Sequence, residues 1–567
     1  MEFTRRELIA NTFKASAVMA ATQVFHLDAL AASKYDAIHA QLDSFVESYM
    51  RAMNSPGLTL SLADRDGVQR VTTYGLSDKD LRERVQPGQL FEIGSITKSF
   101  LALLLLQLHD EGKLNLHRSV LDYLPWLKIE SNFPPITVHH FLTHTSGLPS
   151  APLFLSDPSA RHRAAHAPGE HFHYNNMAFA AMGHLLEALD GRPFSVAVRK
   201  RIFEPLGMTE TEPVITFDVR QRTAKSYIPF LADRPYPRHG PLAEAPEIVM
   251  TDTAGCIAST PRDMGLYMQM IASKGQTKSG RLVSEKSFEL FSSPHIKAEE
   301  FGPTASYGYG IAVDTLEGHK IVRHTGGMVS FASAMQIDID SGVGAFASIN
   351  AMQGYRPNPV AQYAIQLMRA MQENKTLPAP PEVKGARFVA NAADYAGDFT
   401  SPEGRKLLFV AQADSVYLQT EVSRVPLDLK EPDKLLQPGS KFMFIFGRAN
   451  EKDPKSAVVE VSHGNAWFTN EKYSGPKSFN TPKEWNTFIG HYRSENVWNG
   501  SFRVVHPKGQ LMIDGVIPLE PATSSSNLFY LRDEPHSPEW ISFHDVVNGK
   551  AMRVKLSGDD FWRVDAE

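Results

Sequence analysis

Residues 91–100 read FEIGSITKSF, and residues 101–106 continue LALLLL. Lys98 therefore stands two residues before an apolar run that only a protein interior accepts. If a helix begins at Ser95, the Ser95 and Lys98 side chains share one face, a turn apart. Burying an ammonium is costly, so a lysine there gives up its proton more readily than one in water. A neutral amine beside a hydroxyl is a base beside a nucleophile. Taken alone, S-x-x-K is more often the plain first turn of a core helix, and the remaining sequence has to decide.

The chain has 567 residues, of which 42% are hydrophobic and 21% charged, so it has room for two to four domains with cores of their own. Its net charge is −5 and it carries no polybasic block, which argues against nucleic acid or an anionic membrane surface as partner. The single cysteine, Cys256, excludes an intrachain disulfide and any zinc site built from several cysteines. At the N-terminus Arg5 and Arg6 precede a mildly apolar stretch from about Ala15 to Phe25, then the small-x-small pattern Ala29-Leu30-Ala31. This resembles a twin-arginine export signal over residues 1–31. The expected location is the periplasm or the outside of a bacterial-type cell. The apolar part is too short to cross a bilayer as a helix, so no stable membrane span is expected after signal removal.

From residue 32 to 376 helical and strand patterns alternate. PGLTLSLADRDGVQRVTTYG alternates apolar and polar residues about Asp66-Gly67, a hairpin signal. SFLALLLLQLHDEGKL, MAFAAMGHLLEALDGRPF and PRDMGLYMQMIASKG read as buried helices stopped at Gly112, Gly191 and Gly275. IVRHTGGMVSFASAMQIDIDSGVGAFASIN reads as a hairpin of two strands turning at Asp340-Ser341-Gly342, and NPVAQYAIQLMRAMQEN as a closing helix. Strands at both ends with helices between predict a sheet with helices packed against it. The proline-rich stretch around residues 377–389 is a stiff linker. Beyond it, YAGDFTS at Tyr395 and FIGHYRS at Phe488 open two spans of nearly equal length, ending near Trp467-Phe468 and Phe561-Trp562. This repeat predicts two small antiparallel β-barrels or sandwiches, over residues 390–480 and 481–567.

Three further stretches bear on Ser95. Tyr174-Asn175-Asn176 lies in polar sequence just before a buried helix. His324-Thr325-Gly326-Gly327 lies on or beside a strand. FLTHTSGLPS spans residues 141–150. The order S-x-x-K, Y-x-N, H-x-G resembles the serine hydrolases with the β-lactamase fold, a group that includes class C β-lactamases, penicillin-binding D,D-peptidases, related esterases and D-aminopeptidases. The stretches EPLGMTET, TAGCIASTPRDM and YGYGIAVD add to the likeness, which covers roughly residues 36–370. It implies an α+β (α/β) β-lactamase/transpeptidase-like domain, an antiparallel sheet with helices on both sides, here followed by the two β units. It also implies Ser95 as the acylated nucleophile, Lys98 as the group that takes its proton and Tyr174 as a proton shuttle. Asn176 would orient Lys98 and the substrate amide. The H-x-G-G segment with His324, Gly326 and Gly327 would line the substrate, and the Ser95 and Gly327 N–H groups would form the oxyanion hole. No metal or cofactor is expected.

One position departs from the pattern. His324 stands where β-lactamases carry a lysine that helps hold a substrate carboxylate. A histidine is mostly neutral at pH 7, which speaks against a dedicated β-lactamase and for esters or peptide-like amides. His171 and His173 lie as metal ligands might, but no H-E-x-x-H pattern accompanies them. His144 and Cys256 read as buried structural residues. A hydrolase domain followed by two small barrels resembles the D-aminopeptidases, so the leading expectation is cleavage of small D-residue peptides, amides or esters. D,D-carboxypeptidase, esterase or weak β-lactamase activity are alternatives, as is a non-catalytic penicillin-binding sensor. By the same resemblance the loop RDEPHSPE, residues 532–539, is expected to cap the cleft, with Asp533 or Glu534 among the carboxylates available to read a substrate amine.

Overall fold

A computed structural model describes residues 34–151, 155, 161–532 and 534–564. The predicted export signal and Asp533 lie outside the described residues.

The central sheet is built from β1 (Gly57–Asp64), β2 (Gly67–Asp78), β3 (Glu83–Arg84), β4 (Ile296–Lys297), β5 (Ser306–Tyr307), β6 (Ala312–Leu316), β7 (His319–Gly327), β8 (Ala332–Asp338) and β9 (Val343–Ile349). Its order is β4-β5-β6-β7-β8-β9-β1-β2-β3, with every neighbouring pair antiparallel. The first two strands thus pair with the last ones, which brings the two ends of this region into one sheet. The central strands are buried on both faces, and the two faces serve different cores. Leu58, Leu60 and Leu62 of β1 and Val343, Ala345 and Ala347 of β9 pack with helices α1 (Asp36–Met53) and α5 (Asn358–Gln372). Met335 and Ile337 of β8 and Phe346 of β9 face the opposite way, against α2 (Thr97–Asp110), α3 (Asn176–Asp190) and α4 (Pro261–Ala272). The period-2 alternation of strand side chains produces this division.

The helix limits follow their caps. The Asn175 side chain accepts from the Ala178 N–H to start α3, and Gly191, at φ +76°, ends it. Thr260 accepts from the Asp263 N–H at the start of α4, with Pro261 as its first residue. The stretch read as a two-strand hairpin holds three strands, β7, β8 and β9. The additional reversal at Met328–Phe331 is closed by the Met328 N–H donating to the Phe331 carbonyl, and it contains none of the Gly, Pro or Asn residues that mark turns in sequence.

Beyond α5 the chain is all β apart from short 3₁₀ turns. A nine-stranded antiparallel sheet runs from Gly397–Thr400 to Ala466–Thr469; its two edge strands, Arg424–Pro426 and Asp428–Glu431, are consecutive in the chain, so the sheet is nearly closed. The last eight strands, Gly490–Arg493 to Asp559–Val564, form a closed barrel. The two units match where the sequence repeat places them. Opening and closing strands pair antiparallel in each, Thr400 with Thr469 and Arg493 with Trp562. The corresponding aromatics Phe399 and Tyr492 are fully buried in their own cores. Among the described residues no helix is long and apolar enough to cross a membrane.

Candidate active site

Ser95 sits in a 3₁₀ turn, Gly94–Ile96, that runs directly into α2. It is the partly exposed residue in an otherwise buried stretch, 91–100. Backbone contact with the end of β7 fixes the turn. A Cβ on Gly94, which has φ +53°, would lie 2.8 Å from the Gly327 nitrogen, and one on Gly326 would lie 1.8 Å from the Ile93 carbonyl oxygen. Only glycines allow this approach, and it sets the Gly327 backbone against the turn that carries Ser95.

Lys98 is fully buried. Its Nζ donates to Ser95 Oγ at 3.0 Å, to Asn176 Oδ1 at 2.8 Å and to the Ala254 carbonyl at 2.7 Å. Burial lowers its affinity for a proton to a pKa of about 7, with the Asp252 carboxylate opposing part of that effect. Asn176, the first residue of α3, therefore orients the amine from one side and the 254 carbonyl from another. Tyr174 lines the same cleft as Ser95, and its ring lies 5.0 Å from Lys98 Nζ. Burial pushes the phenol well up, the nearby Ser95 hydroxyl opposing. The resting phenol is neutral, so the base of this pair is the amine. His144 holds the Tyr174 segment in place: it is buried, accepts from the Asn175 N–H at 2.9 Å and has its ring 4.4 Å from that of Tyr174.

These groups open into a cleft of about 630 Å³ that His324, Gly327, Glu300 and Arg356 also line. His324 is buried, and burial together with nearby Lys98 holds it down at about 3. Its Nδ1 lies 2.7 Å from the Thr325 carbonyl and its Nε2 2.9 Å from the Tyr307 hydroxyl. A neutral ring with the proton on Nδ1 satisfies both: it donates to Thr325 and accepts from Tyr307. Both nitrogens are thereby spent inside the protein.

Among the cleft residues that sequence reasoning missed, three bring new chemistry. Arg356, from the segment between β9 and α5, brings a cation to a cleft where the H-x-G motif offers a neutral histidine; its Nε is buried with no hydrogen-bond partner among the described residues. Arg323, by contrast, is paired with Asp314 at 2.7 Å. Glu300 comes from a 3₁₀ turn, Glu299–Phe301, with no periodic signal around it. Trp498 comes from the second barrel.

The 532–539 loop docks beside the cleft rather than across it. Glu539 is buried, accepting from His173 Nε2 at 2.8 Å and from the Ser150 N–H at 2.6 Å. Glu534 lies 3.6 Å from His173 Nδ1, and its charge acts on the Glu300 carboxyl. Burial works against charge on His173, but its two carboxylate partners more than offset it and lift the imidazole to about 9. Burial, then the Glu534 charge, raises the Glu300 carboxyl, while the neighbouring His173 imidazolium lowers Glu534. Glu300 and Glu534, one residue from each domain, thus face each other as two carboxyls whose protonation is linked. His171 stacks on His536 of the loop at 3.7 Å between ring centroids. The two histidines considered as metal ligands serve this docking instead. The described grouping with metal-like geometry, His319, Asp338 and Asp340, lies elsewhere and is occupied by Arg369 and backbone N–H groups.

An antiparallel sheet between two helical layers, with a serine at the head of a buried helix and a lysine one turn on, defines a serine hydrolase-type site of the β-lactamase fold. The family model described as Beta-lactamase matches residues 42–369, and the chain belongs to that family. Among curated proteins it is similar to Protein flp of Staphylococcus aureus, 24% identical over 345 residues, 58% of this chain and 66% of that protein, just under two thirds of its length. It is also similar to a Beta-lactamase of Providencia stuartii, 29% identical over 178 residues, 30% of this chain and 46% of that protein. Among solved structures, the octameric penicillin-binding protein homologue from Pyrococcus abyssi superposes with a TM-score of 0.54 at 23% identity, covering 76% of this chain and 99% of that one.

Proposed function

We propose that this chain is an exported hydrolase that cleaves amide or ester bonds through an acyl-enzyme on Ser95, with small D-residue peptides or amides bearing a free amine as substrates. The observation that carries the reading is a buried Lys98 amine 3.0 Å from Ser95 Oγ, held near neutrality by burial. At pH 7 about half of such amines are neutral and ready to take the Ser95 proton. Ser95 Oγ then bonds to the substrate carbonyl carbon, and the Ser95 and Gly327 N–H groups face the resulting oxyanion. The neutral Tyr174 phenol, beside Ser95 and Lys98 in the cleft, supplies the proton with which the amine or alcohol leaves, and the Lys98 ammonium then restores it. Water attacking the acyl carbon by the reverse proton path releases the acid and frees Ser95.

Preference for a free amine is supported by the Glu300–Glu534 pair. An ammonium at the rim would favour the charged form of Glu300 and pair with both carboxylates. Preference for a D-residue rests on the architecture alone, a β-lactamase-type domain followed by two small barrels. The test is a panel of D- and L-aminoacyl amides, their N-acetylated forms, p-nitrophenyl esters and a chromogenic cephalosporin. The free D-aminoacyl amides are expected to give the highest kcat/KM; equal turnover of D and L, or of free and acetylated amides, contradicts the reading. Export is tested by Arg5→Lys with Arg6→Lys, which should leave the protein in the cytoplasm; an unchanged periplasmic fraction removes that part of the proposal.

Arg356 favours a second reading. A cleft cation with a buried, unpaired Nε gains most from a substrate carboxylate, as in D,D-carboxypeptidase or weak β-lactamase activity. Stoichiometric labelling of Ser95 without turnover of any panel member would instead point to a penicillin-binding sensor.

A further inference from the structure

Trp498 belongs to the second barrel but not to its interior. That interior is built around Tyr492, Phe502, Phe529 and Phe543, whereas Trp498 packs against the apolar cluster of the hydrolase domain and lines the cleft that holds Ser95. It stands in the loop between the barrel's first two strands, Gly490–Arg493 and Ser501–Val505. The loop is tied down by its own short polar side chains. The Asn496 N–H donates to Ser494 Oγ at 3.2 Å, and the Trp498 N–H donates to Asn496 Oδ1 at 3.0 Å. The Ser494 N–H closes the loop on the Gly500 carbonyl at 3.0 Å, with Gly500 at φ +61°. These bonds order the backbone that carries the indole before any substrate arrives, so little loop entropy is left to lose on binding. An indole is a large, rigid apolar surface. Met250 and Met328, which line the same cleft, are unbranched and adapt to what lies against them.

We infer that Trp498 is a specificity-determining residue supplied by the second barrel. Its ring, with Met250 and Met328, forms a subsite for an apolar, preferentially aromatic, group attached next to the scissile carbonyl. The two barrel loops then divide the work: residues 532–539 fix the barrel on the hydrolase domain and bring Glu534 to Glu300, while residues 494–500 carry the wall against which a substrate side chain packs. Binding energy gained at such a wall, away from the reacting atoms, is available for orienting the carbonyl toward Ser95. The inference rests on Ser95 being the nucleophile, and on nothing about stereochemistry or the substrate amine.

The experiment compares the rates at which two fluorophosphonates, one carrying a methyl and one a phenylethyl group on phosphorus, label Ser95 in the parent and in W498A, W498L and W498F. In each labelling event the Ser95 oxygen bonds to phosphorus, fluoride leaves, and Lys98 takes the Ser95 proton. In the parent the phenylethyl probe is expected to react faster than the methyl probe. The ratio of the two rates should fall roughly tenfold to a hundredfold in W498A, the range expected for losing apolar contact with one large side chain. It should fall less in W498L and stay within about threefold of the parent in W498F, which keeps an aromatic face. A ratio unchanged in W498A, with Ser95 still labelled, overturns the subsite. Should W498A not fold, an unchanged ratio in W498L overturns it equally. Absence of labelling in the parent removes the nucleophile on which the subsite depends, and is told apart by the parent alone.

Discussion

Replacing Lys98 by methionine separates what burial does to the amine from what the amine does for the reaction. The Lys98 pKa is about 7 against an ordinary 10.5, because the side chain is fully buried. An ordinary lysine at pH 7 is neutral in about one molecule in three thousand, and this one in about half, so burial raises the concentration of the base by roughly a thousandfold. Acylation in the parent should therefore fall about tenfold per pH unit below 7 and level off above it. The stability consequence has a definite sign. Between pH 7 and 10.5 the folded state binds fewer protons at Lys98 than the unfolded state, so this group makes the protein more stable as pH rises through that window, and its penalty is fully present below 7. At about 1.4 kcal/mol per pKa unit, the penalty shrinks by on the order of 3 to 4 kcal/mol between pH 7 and 10. Lys98→Met carries no such term. The stability of Lys98→Met relative to the parent should drop by that amount from pH 7 to pH 10, whatever constant offset comes from the lost hydrogen bonds to Asn176 and Ala254. The assay is urea unfolding of both proteins at pH 7, 8.5 and 10, alongside the pH profile of Ser95 acylation. An acylation rate still climbing from pH 8 to 10, or parallel stability curves for the two proteins, refutes the reasoning.

Arg356→Gln should raise KM for carboxylate-bearing substrates relative to their carboxamides by roughly tenfold to a hundredfold, the worth of a charge-assisted hydrogen bond; equal effects on both would show that the guanidinium does not meet the substrate. His324→Lys would bring a second ammonium to a buried position beside Lys98 and remove the acceptor of the Tyr307 hydroxyl; unfolding should show a loss of at least about 2 kcal/mol, and an unperturbed, β-lactam-reactive variant would mean the ring faces substrate instead. Replacing residues 533–538 by a Gly-Ser pair removes Glu534 from Glu300 and should lower the ratio of free-amine to N-acetylated turnover, while an unchanged ratio would leave the loop with docking alone.

The site was legible where chemistry depends on spacing along one element. Ser95 and Lys98 are a turn apart at the head of one helix, Tyr174 and Asn176 flank the N-cap of another, and the two glycines after Thr325 end a strand that must touch the serine turn. The apolar run after Lys98 told that the amine is buried, and from that its low proton affinity follows. Arg356, Glu300 and Trp498 were not legible for a common reason: each reaches the cleft through packing between segments far apart in sequence. Arg356 comes from a loop leaving β9, Glu300 from a turn between two-residue strands, and Trp498 from another domain. The reversal between β7 and β8 escaped because Met-Val-Ser-Phe holds none of the Gly, Pro, Asn or Asp that most strongly mark a turn. The repeat fared better, since its aromatics are the core positions of the two β units and recur for that reason. Acidity drew attention to residues 532–539, yet the carboxylate of Glu539 is consumed in holding the barrel to His173 and Ser150, and an exposed charge in sequence need not be a free one in the fold.

The central claim is that Ser95 forms a covalent bond with what this chain acts on. Its most direct test is intact mass and peptide mapping after exposure to a fluorophosphonate, paired with turnover by Ser95→Ala on the best substrate of the panel. One adduct per chain on the peptide containing Ser95, none in Ser95→Ala, and a loss of turnover of roughly a thousandfold or more are predicted; turnover by Ser95→Ala within tenfold of the parent, or an adduct mapping elsewhere, would contradict it.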